Sequence, residues 1–479
     1  MKHSYTKNGW LYISVKGSSK EIGYTYGQAI SEEMAKIQSM LRYHVYETTG
    51  HTWDYFIDVA KRIFIPLIKA KYHEYYLEML FMSKGINSVG GSITLEEVVA
   101  WNNYFTITSD WYNSKYKVMY DKKYNIPIDN SLTYKKASTE RCSAFICNGD
   151  YTKDGKIVCG HNNFSDFVEG QFAKQVLDIK PLKGNRMLIQ GFVGWIWSGT
   201  DFFVTEAGIL GTETTIGGFE NYSFKDPISC RIRTAMQYGN NFDDYVKILT
   251  TDNSGDYANS WYFGDINTNE IMRIELGRNY VNVEKKSNGY FIGFNATYDP
   301  RIRNLECTNS GFNDIRRHQG ARRVRLTQLI EKYKGKIDLE VGKTIMGDHY
   351  DVYLKKTNPC SRTICSHYEL DAREYMSDPS RPMPFQPRGA CDGNLITTQL
   401  AQEMSFCLKF GSSCNIPFIS EKFFKEHIEW DHYKDYVVSR PTEPWTIFGI
   451  SSSSHTHSHS IRKKNTKKHN HTVRNNDVK

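Results

Sequence analysis

From residue 142 onward the chain alternates short apolar runs with turn dipeptides, and this rhythm limits the fold more than any other feature. Residues 143–147 and 156–159 are apolar runs separated by Asn148-Gly149 and Asp154-Gly155, so they read as strand, turn, strand. Hairpins are predicted again at 201–216 around Glu206-Ala207-Gly208, at 260–276 around Asn267-Thr268-Asn269, and at 280–295 around Ser287-Asn288-Gly289. Further strands are predicted at 175–179 and 186–195, and long helices at 228–238 and 318–333. Many antiparallel strands with helices in separate runs predict an α+β fold, its sheets face to face and its helices outside.

Residues 9–141 contain no cysteine and read mainly as helix. A short strand is predicted at 10–15. Ser18 and Glu21 form the spacing of a capping box, which opens a helix over about 20–46. Helical patterns follow at 54–84 and 95–105. Residues 112–137 are rich in Lys, Tyr, Asp and Asn with weak periodicity, so an exposed loop is predicted, accessible to a processing cut. The expected organisation is a mainly helical segment at 1–141, packed on the rest as a propeptide or small subunit; a core at 142–450; and a tail at 451–479.

Charge is concentrated in that tail. The formal net charge is +8, but residues 451–479 hold seven Lys/Arg and one Asp, leaving about +2 for the rest. Its Ser/His/Lys-rich, nearly apolar-free composition predicts disorder, with five histidines able to bind metal adventitiously. The core gives no support for nucleic-acid binding. No apolar run approaches the ~20 residues of a membrane helix, residues 188–197 coming nearest, and the first residues lack a signal peptide's apolar stretch. A cytoplasmic or otherwise intracellular, reducing location is expected, with the ten cysteines as thiols. The spacings Cys360-x4-Cys365 and Cys407-x6-Cys414 match no zinc template, so no metal is predicted. No phosphate loop or dinucleotide fingerprint occurs, and no cofactor is predicted.

Cys142 opens its predicted strand. Were the peptide bond before it cut, the new α-amine, titrating near ~8, would sit on the same residue as the thiol and could act as its base. The plain alternative is a small core residue, one of ten cysteines.

Several motifs then recur in order: Cys142-Ser143-Ala144-Phe145-Ile146, Gly160-His161-Asn162-Asn163-Phe164, Thr200-Asp201-Phe202-Phe203, Thr212-Glu213-Thr214-Thr215-Ile216-Gly217, Tyr257-Ala258-Asn259-Ser260-Trp261 and Cys391-Asp392-Gly393-Asn394. Together they resemble the cysteine N-terminal-nucleophile hydrolases, over about residues 9–448. Two branches share the layout: the acyltransferase and choloylglycine-hydrolase-like branch, and the phospholipase B-like branch. The stretches 317–329, 349–351 and 363–367 look closer to the first. Residues 213–217 and 259–261 suit the second equally.

The resemblance implies a four-layer αββα sandwich of two antiparallel sheets, and self-cleavage between Arg141 and Cys142, where some relatives carry glycine instead of Arg141. It implies an acyl-thioester on Cys142, Asn259 as the oxyanion donor, and Arg322 as the family arginine of the late helix, with Arg323 as the competing choice. Relatives with a Gly-Arg-Asn-x-Asp run have an aspartate where this chain has Phe164. Asp201 or Glu213 is left to take over its task of orienting the amine, and either is equally a hairpin residue. His161 and Asn162 are read as pocket residues, with Glu213 beside them, and Asn163 as surface. His349 and His367 match family motifs without a derivable role. The expected activity is cleavage of linear amide bonds or acyl transfer to an amine, on a small acyl substrate. The alternatives are a phospholipase B-like lipase acting on glycerophospholipid esters, and a catalytically silent fold used for binding.

Overall fold

The computed structural model describes residues 4–127, 142–308, 311–372 and 381–449. The expected cut at Arg141–Cys142, part of the 112–137 loop and the tail at 451–479 involve residues outside that set.

Fifteen strands form two large sheets. The nine-stranded sheet runs, in spatial order, Ser4–Lys7, Trp10–Gly17, Gln175–Pro181, Met187–Gly191, Gly199–Thr205, Ile209–Thr215, Asn259–Asp265, Glu270–Leu276 and Val281–Lys286. The six-stranded sheet runs Gly289–Gly293, Cys142–Asn148, Val158–Asp166, Arg388–Thr397, Ser405–Phe410 and Thr446–Gly449. Mixed helix and sheet, in separate runs, fit the α+β expectation. One detail corrects it: Trp10–Gly17 pairs with Gln175–Pro181 in parallel. The chain leaves the first of these strands through the helix Ser19–Thr49 and returns only after residue 174, a crossover that permits parallel pairing where a hairpin cannot.

Side-chain alternation sorts the buried residues. Leu188, Phe202, Val204, Leu210 and Tyr262 of the larger sheet share one apolar cluster with Ala144 and Ile146 of the smaller. A Cβ placed at Gly293 would meet Thr214 and Tyr262, so the sheets touch face to face there. Leu177, Ile189, Phe203, Phe263 and Ile274 belong instead to a cluster with the helices at 19–49, 73–88 and 228–250. Phe145 and Leu395 flank Gly342 of the helix Leu339–Met346, on the other side of the smaller sheet.

The predicted capping box is present. Glu21 N–H donates to Ser18 Oγ at 3.4 Å, and Ser18 N–H donates to Glu21 Oε2 at 2.8 Å. The helix Ile228–Tyr238 and the strand Glu270–Leu276 match their predicted limits. Four expectations change. The strands predicted as a hairpin at 280–295 do not pair: Val281–Lys286 pairs with Glu270–Leu276 and Gly289–Gly293 with Cys142–Asn148, so the turn between them carries the chain from one sheet to the other. The 54–84 pattern is not one helix but Trp53–Val59, a π turn at Ala60–Phe64, Ile65–Lys71 and His73–Ser88, with Pro66 and the non-helical Tyr72 among the interruptions. The predicted 186–195 strand stops at Gly191. Within 112–137, Lys115–Tyr124 is helical; Ser114 caps it, and Tyr120 is buried against Trp111 and Tyr55, a tertiary contact that weak periodicity could not announce. Among the described residues no helix is long and apolar enough to cross a membrane.

Candidate active site

Cys142 is the first residue of its strand and is 1% exposed. The strand continues with Ala144 facing the larger sheet, so alternation turns Cys142 the same way. Its Sγ lies 3.8 Å from Glu213 Oε1. Its backbone N–H donates to Asn295 Oδ1 at 3.3 Å. The buried Arg322 guanidinium donates to the Cys142 carbonyl, to Ser143 Oγ at 3.2 Å and to Asn295 Oδ1 at 2.8 Å, and its Nε donates to His318 O. One planar fork therefore fixes both the Cys142 backbone and the amide that holds its nitrogen. Arg323 turns elsewhere, to Phe312 O and Asn313 Oδ1.

The two carboxylates singled out in the sequence are joined by a residue that was not. Tyr257 Oη lies 2.9 Å from Asp201 Oδ2 and 2.9 Å from Glu213 Oε1. A hydroxyl carries one proton and donates to one of them at a time. Asp201, Tyr257 and Asn295 all have left-handed backbone, with φ of 59°, 44° and 63°. Such conformations are uncommon outside glycine and cluster where a site over-determines geometry.

Asn259 opens its strand opposite Thr215 and is fully buried. Neither of its side-chain polar atoms has a hydrogen-bond partner among the described residues. A buried amide left with open donors is unusual, and it is what a site for a transient oxyanion requires.

On the neighbouring strand Val158–Asp166, residues directly opposite share a face: Cys142 with Asn163, Ser143 with Asn162, and Ala144 with His161. His161 thus faces the space between the sheets, one ladder step deeper than Cys142. Its ring stacks on Phe202 and its Nδ1 lies 3.3 Å from Asn394 Nδ2. Burial pushes its pKa down to about 3, which keeps the imidazole neutral. Asn162 points the other way and is committed to structure: its amide donates to Met346 O at 2.8 Å and Ile364 O at 3.1 Å, and it accepts from Ser413 Oγ at 2.6 Å. Asn163, expected at the surface, is 1% exposed and lies on the Cys142 face. The one-residue parity of a strand makes that difference.

Asn163 leads to a second buried polar group, centred on Asp392. Its amide donates to Asp392 Oδ2 at 3.3 Å; Gln190 of the larger sheet reaches the same oxygen at 3.3 Å, and Asn394 donates to Oδ1 at 2.8 Å. Burial raises the Asp392 carboxyl to about 6. Cys142, Asn163 and Asp392 therefore stand side by side on three adjacent strands. A cleft of about 840 Å³ lined by Arg303, Phe312, Asp314, Arg316 and Tyr353 lies apart from this group and does not include Cys142.

No family model matches the chain. It is 28% identical over 221 residues to phospholipase B-like protein C of Dictyostelium discoideum, covering 40% of this chain and 36% of that protein. The chain thus matches only about a third of the length of that curated relative. The crystal structure of a variant of conjugated bile acid hydrolase from Clostridium perfringens aligns with 56% of this chain and 89% of its own at 13% identity, with a TM-score of 0.31.

Proposed function

We propose that this chain is a cysteine N-terminal-nucleophile hydrolase with an αββα core, activated by cleavage before Cys142. The observation that carries the reading is the setting of one residue: the nitrogen, carbonyl and sulfur of Cys142 are each held or approached by a buried polar partner, Asn295, Arg322 and Glu213 respectively. A core cysteine packed for volume needs none of these. In the self-cleavage step, Sγ attacks the Arg141 carbonyl carbon, the S–C bond forms and the C–N bond breaks as the thiol proton passes to the departing nitrogen, which becomes the free α-amine; water then hydrolyses the thioester, releasing the Arg141 carboxylate and restoring the Cys142 thiol. In turnover, that amine takes the thiol proton as Sγ attacks an acyl carbonyl, and returns it to the leaving group. Asn259 is assigned to the oxyanion, Arg322 and Asn295 to positioning Cys142, and the Asp201–Tyr257–Glu213 group to the amine and thiol side. His161, neutral at physiological pH, is assigned to the substrate space.

A linear amide is the substrate class proposed, with water or an amine as acceptor. The partial similarity to a phospholipase B-like protein favours a second reading, hydrolysis of fatty-acyl esters of glycerophospholipids. Both use the same thioester, so one experiment precedes the choice. Intact mass and N-terminal sequencing of the purified full chain are expected to reveal two fragments, residues 1–141 and 142–479, and Cys142→Ala is expected to remain whole. The processed protein is then offered N-acyl amides and phospholipids in parallel. A wild-type chain that stays uncut and hydrolyses neither panel would replace this reading with that of a silent binding fold.

A further inference from the structure

Two side chains of one loop, Cys365 and His367, meet a third from 49 positions beyond Cys365, Cys414, on the face of the smaller sheet opposite to Cys142. Cys365 Sγ is 3.4 Å from Cys414 Sγ, Cys365 Sγ is 3.4 Å from His367 Nε2, and His367 Nε2 is 3.1 Å from Cys414 Sγ. Both cysteines are free, and Cys365 and His367 are buried. The other ring nitrogen, His367 Nδ1, meets Glu369 Oε1 at 2.7 Å. Two sulfurs facing one imidazole nitrogen, with a carboxylate behind the ring, is a donor set for a cation of intermediate softness. The carboxylate fixes the tautomer that leaves Nε2 as the ligand and raises its basicity.

We infer that Cys365, His367 and Cys414 bind a zinc ion, with Glu369 orienting the histidine. Zinc lies about 2.3 Å from thiolate sulfur and about 2.0 Å from imidazole nitrogen. An ion at those distances sits about 1 Å out of the plane of so small a ligand triangle, the shape of a tetrahedral site with its fourth corner open. Binding displaces the two thiol protons to solvent. The ion joins two loops: the one carrying Cys365 and His367, whose backbone bridges to Gly389, and the turn after the strand Ser405–Phe410 that carries Cys414. Cys365 and Cys414 also pack against Phe164, whose ring lies under the Arg322 guanidinium at 5.5 Å. The ion would therefore brace the layer on which Arg322 rests.

The test uses the full chain, purified under reductant and reconstituted with Co²⁺ in place of zinc. The histidines of the tail give no thiolate-to-cobalt charge-transfer band, so this band reports thiolate ligation alone. The expected result is a band saturating at one equivalent, zinc near one equivalent in the protein as isolated, retention of both in Cys142→Ala and loss of the band in Cys414→Ser. Glu369→Gln, which keeps all three ligands, is expected to weaken zinc binding about 10–100-fold against a competing chelator. No charge-transfer band in the wild type, a band that survives Cys414→Ser, or a Cys365–Cys414 disulfide in chain alkylated at lysis would each overturn the assignment.

Discussion

Asn259 is set apart by the partners it lacks. Cys142, Arg322, Asn295 and Tyr257 are joined by hydrogen bonds, whereas both polar atoms of this buried amide are open among the described residues. Under the proposed mechanism its donor is used only when the tetrahedral oxyanion forms, so Asn259→Ala is expected to lower kcat by about 10²–10³ with little change in KM. Steady-state kinetics on the processed enzyme check this, and a change confined to KM would assign Asn259 to substrate binding instead. His161 makes a prediction of a different kind. Its pKa of about 3 in the folded protein lies below the ordinary 6.5, so below pH 6.5 the unfolded chain takes up a proton that the folded chain refuses. This contribution to stability is complete above about pH 6.5 and is lost as the pH falls toward 3, amounting to about 5 kcal/mol over the whole window. Asp392, raised to about 6, works in the opposite sense, since its folded carboxyl is the one that binds the proton more readily. His161→Gln is therefore expected to reduce the loss in urea midpoint between pH 7 and pH 4.5; an unchanged loss would mean that His161 is not held neutral.

Helix pairing shows why local propensity misleads in this chain. Gly23 and Gly27 lie inside the helix Ser19–Thr49, and Gly85 inside His73–Ser88, where glycine costs about 1 kcal/mol relative to alanine. The reason is the partner. A Cβ at Gly27 would lie 2.2 Å from Met82 O, one at Gly23 2.0 Å from Glu78 O, and one at Gly85 2.1 Å from Tyr24 O. The two helix backbones touch, and no flexible side chain is there to yield. Gly27→Ala is expected to lower stability by about 1–3 kcal/mol despite its better helix propensity, seen as a lower Tm. A raised Tm would mean the helices can separate freely. The same close pairing carries Glu78 to Arg233 of the helix Ile228–Tyr238, at 2.9 Å with both side chains buried, so the N-terminal helices are tied to that helix through an ion pair as well as by apolar packing.

Cleavage before Cys142 would divide the chain without dividing the structure. The strand Trp10–Gly17 lies within the nine-stranded sheet, between Ser4–Lys7 and Gln175–Pro181, and the helix Ser19–Thr49 fills the apolar cluster beneath it. Removing residues 1–141 would open a sheet edge and strip Ile13, Val15, Ile22 and Tyr26 from that cluster. The two fragments are expected to elute together in native size exclusion and to separate only in denaturant. Separation in native buffer would mark the first segment as a removable propeptide.

Turn chemistry and period were enough to read the hairpins at 142–159, 201–216 and 260–276, the α+β class, the helix cap at Ser18 and the position of Cys142 at the head of a strand, because these depend on residues near one another in the chain. The hairpin expected at 280–295 fails because the partners of Val281–Lys286 and Gly289–Gly293 are chosen by the two sheets and not by the turn between them. The strand Val158–Asp166 was readable only to Cys159, and Arg388–Thr397 not at all. Both place polar residues, His161, Asn163, Asp392 and Asn394, where a structural strand would turn apolar ones inward. These inward polar residues erase the pattern that would reveal the two strands. Arg322 as against Arg323, the bridging Tyr257, Asn295 at the Cys142 nitrogen and the convergence of Cys365 with Cys414 depend on which faces meet across the sheets and loops. Contacts between residues about 50 to 180 positions apart leave no local periodicity, so packing settled them.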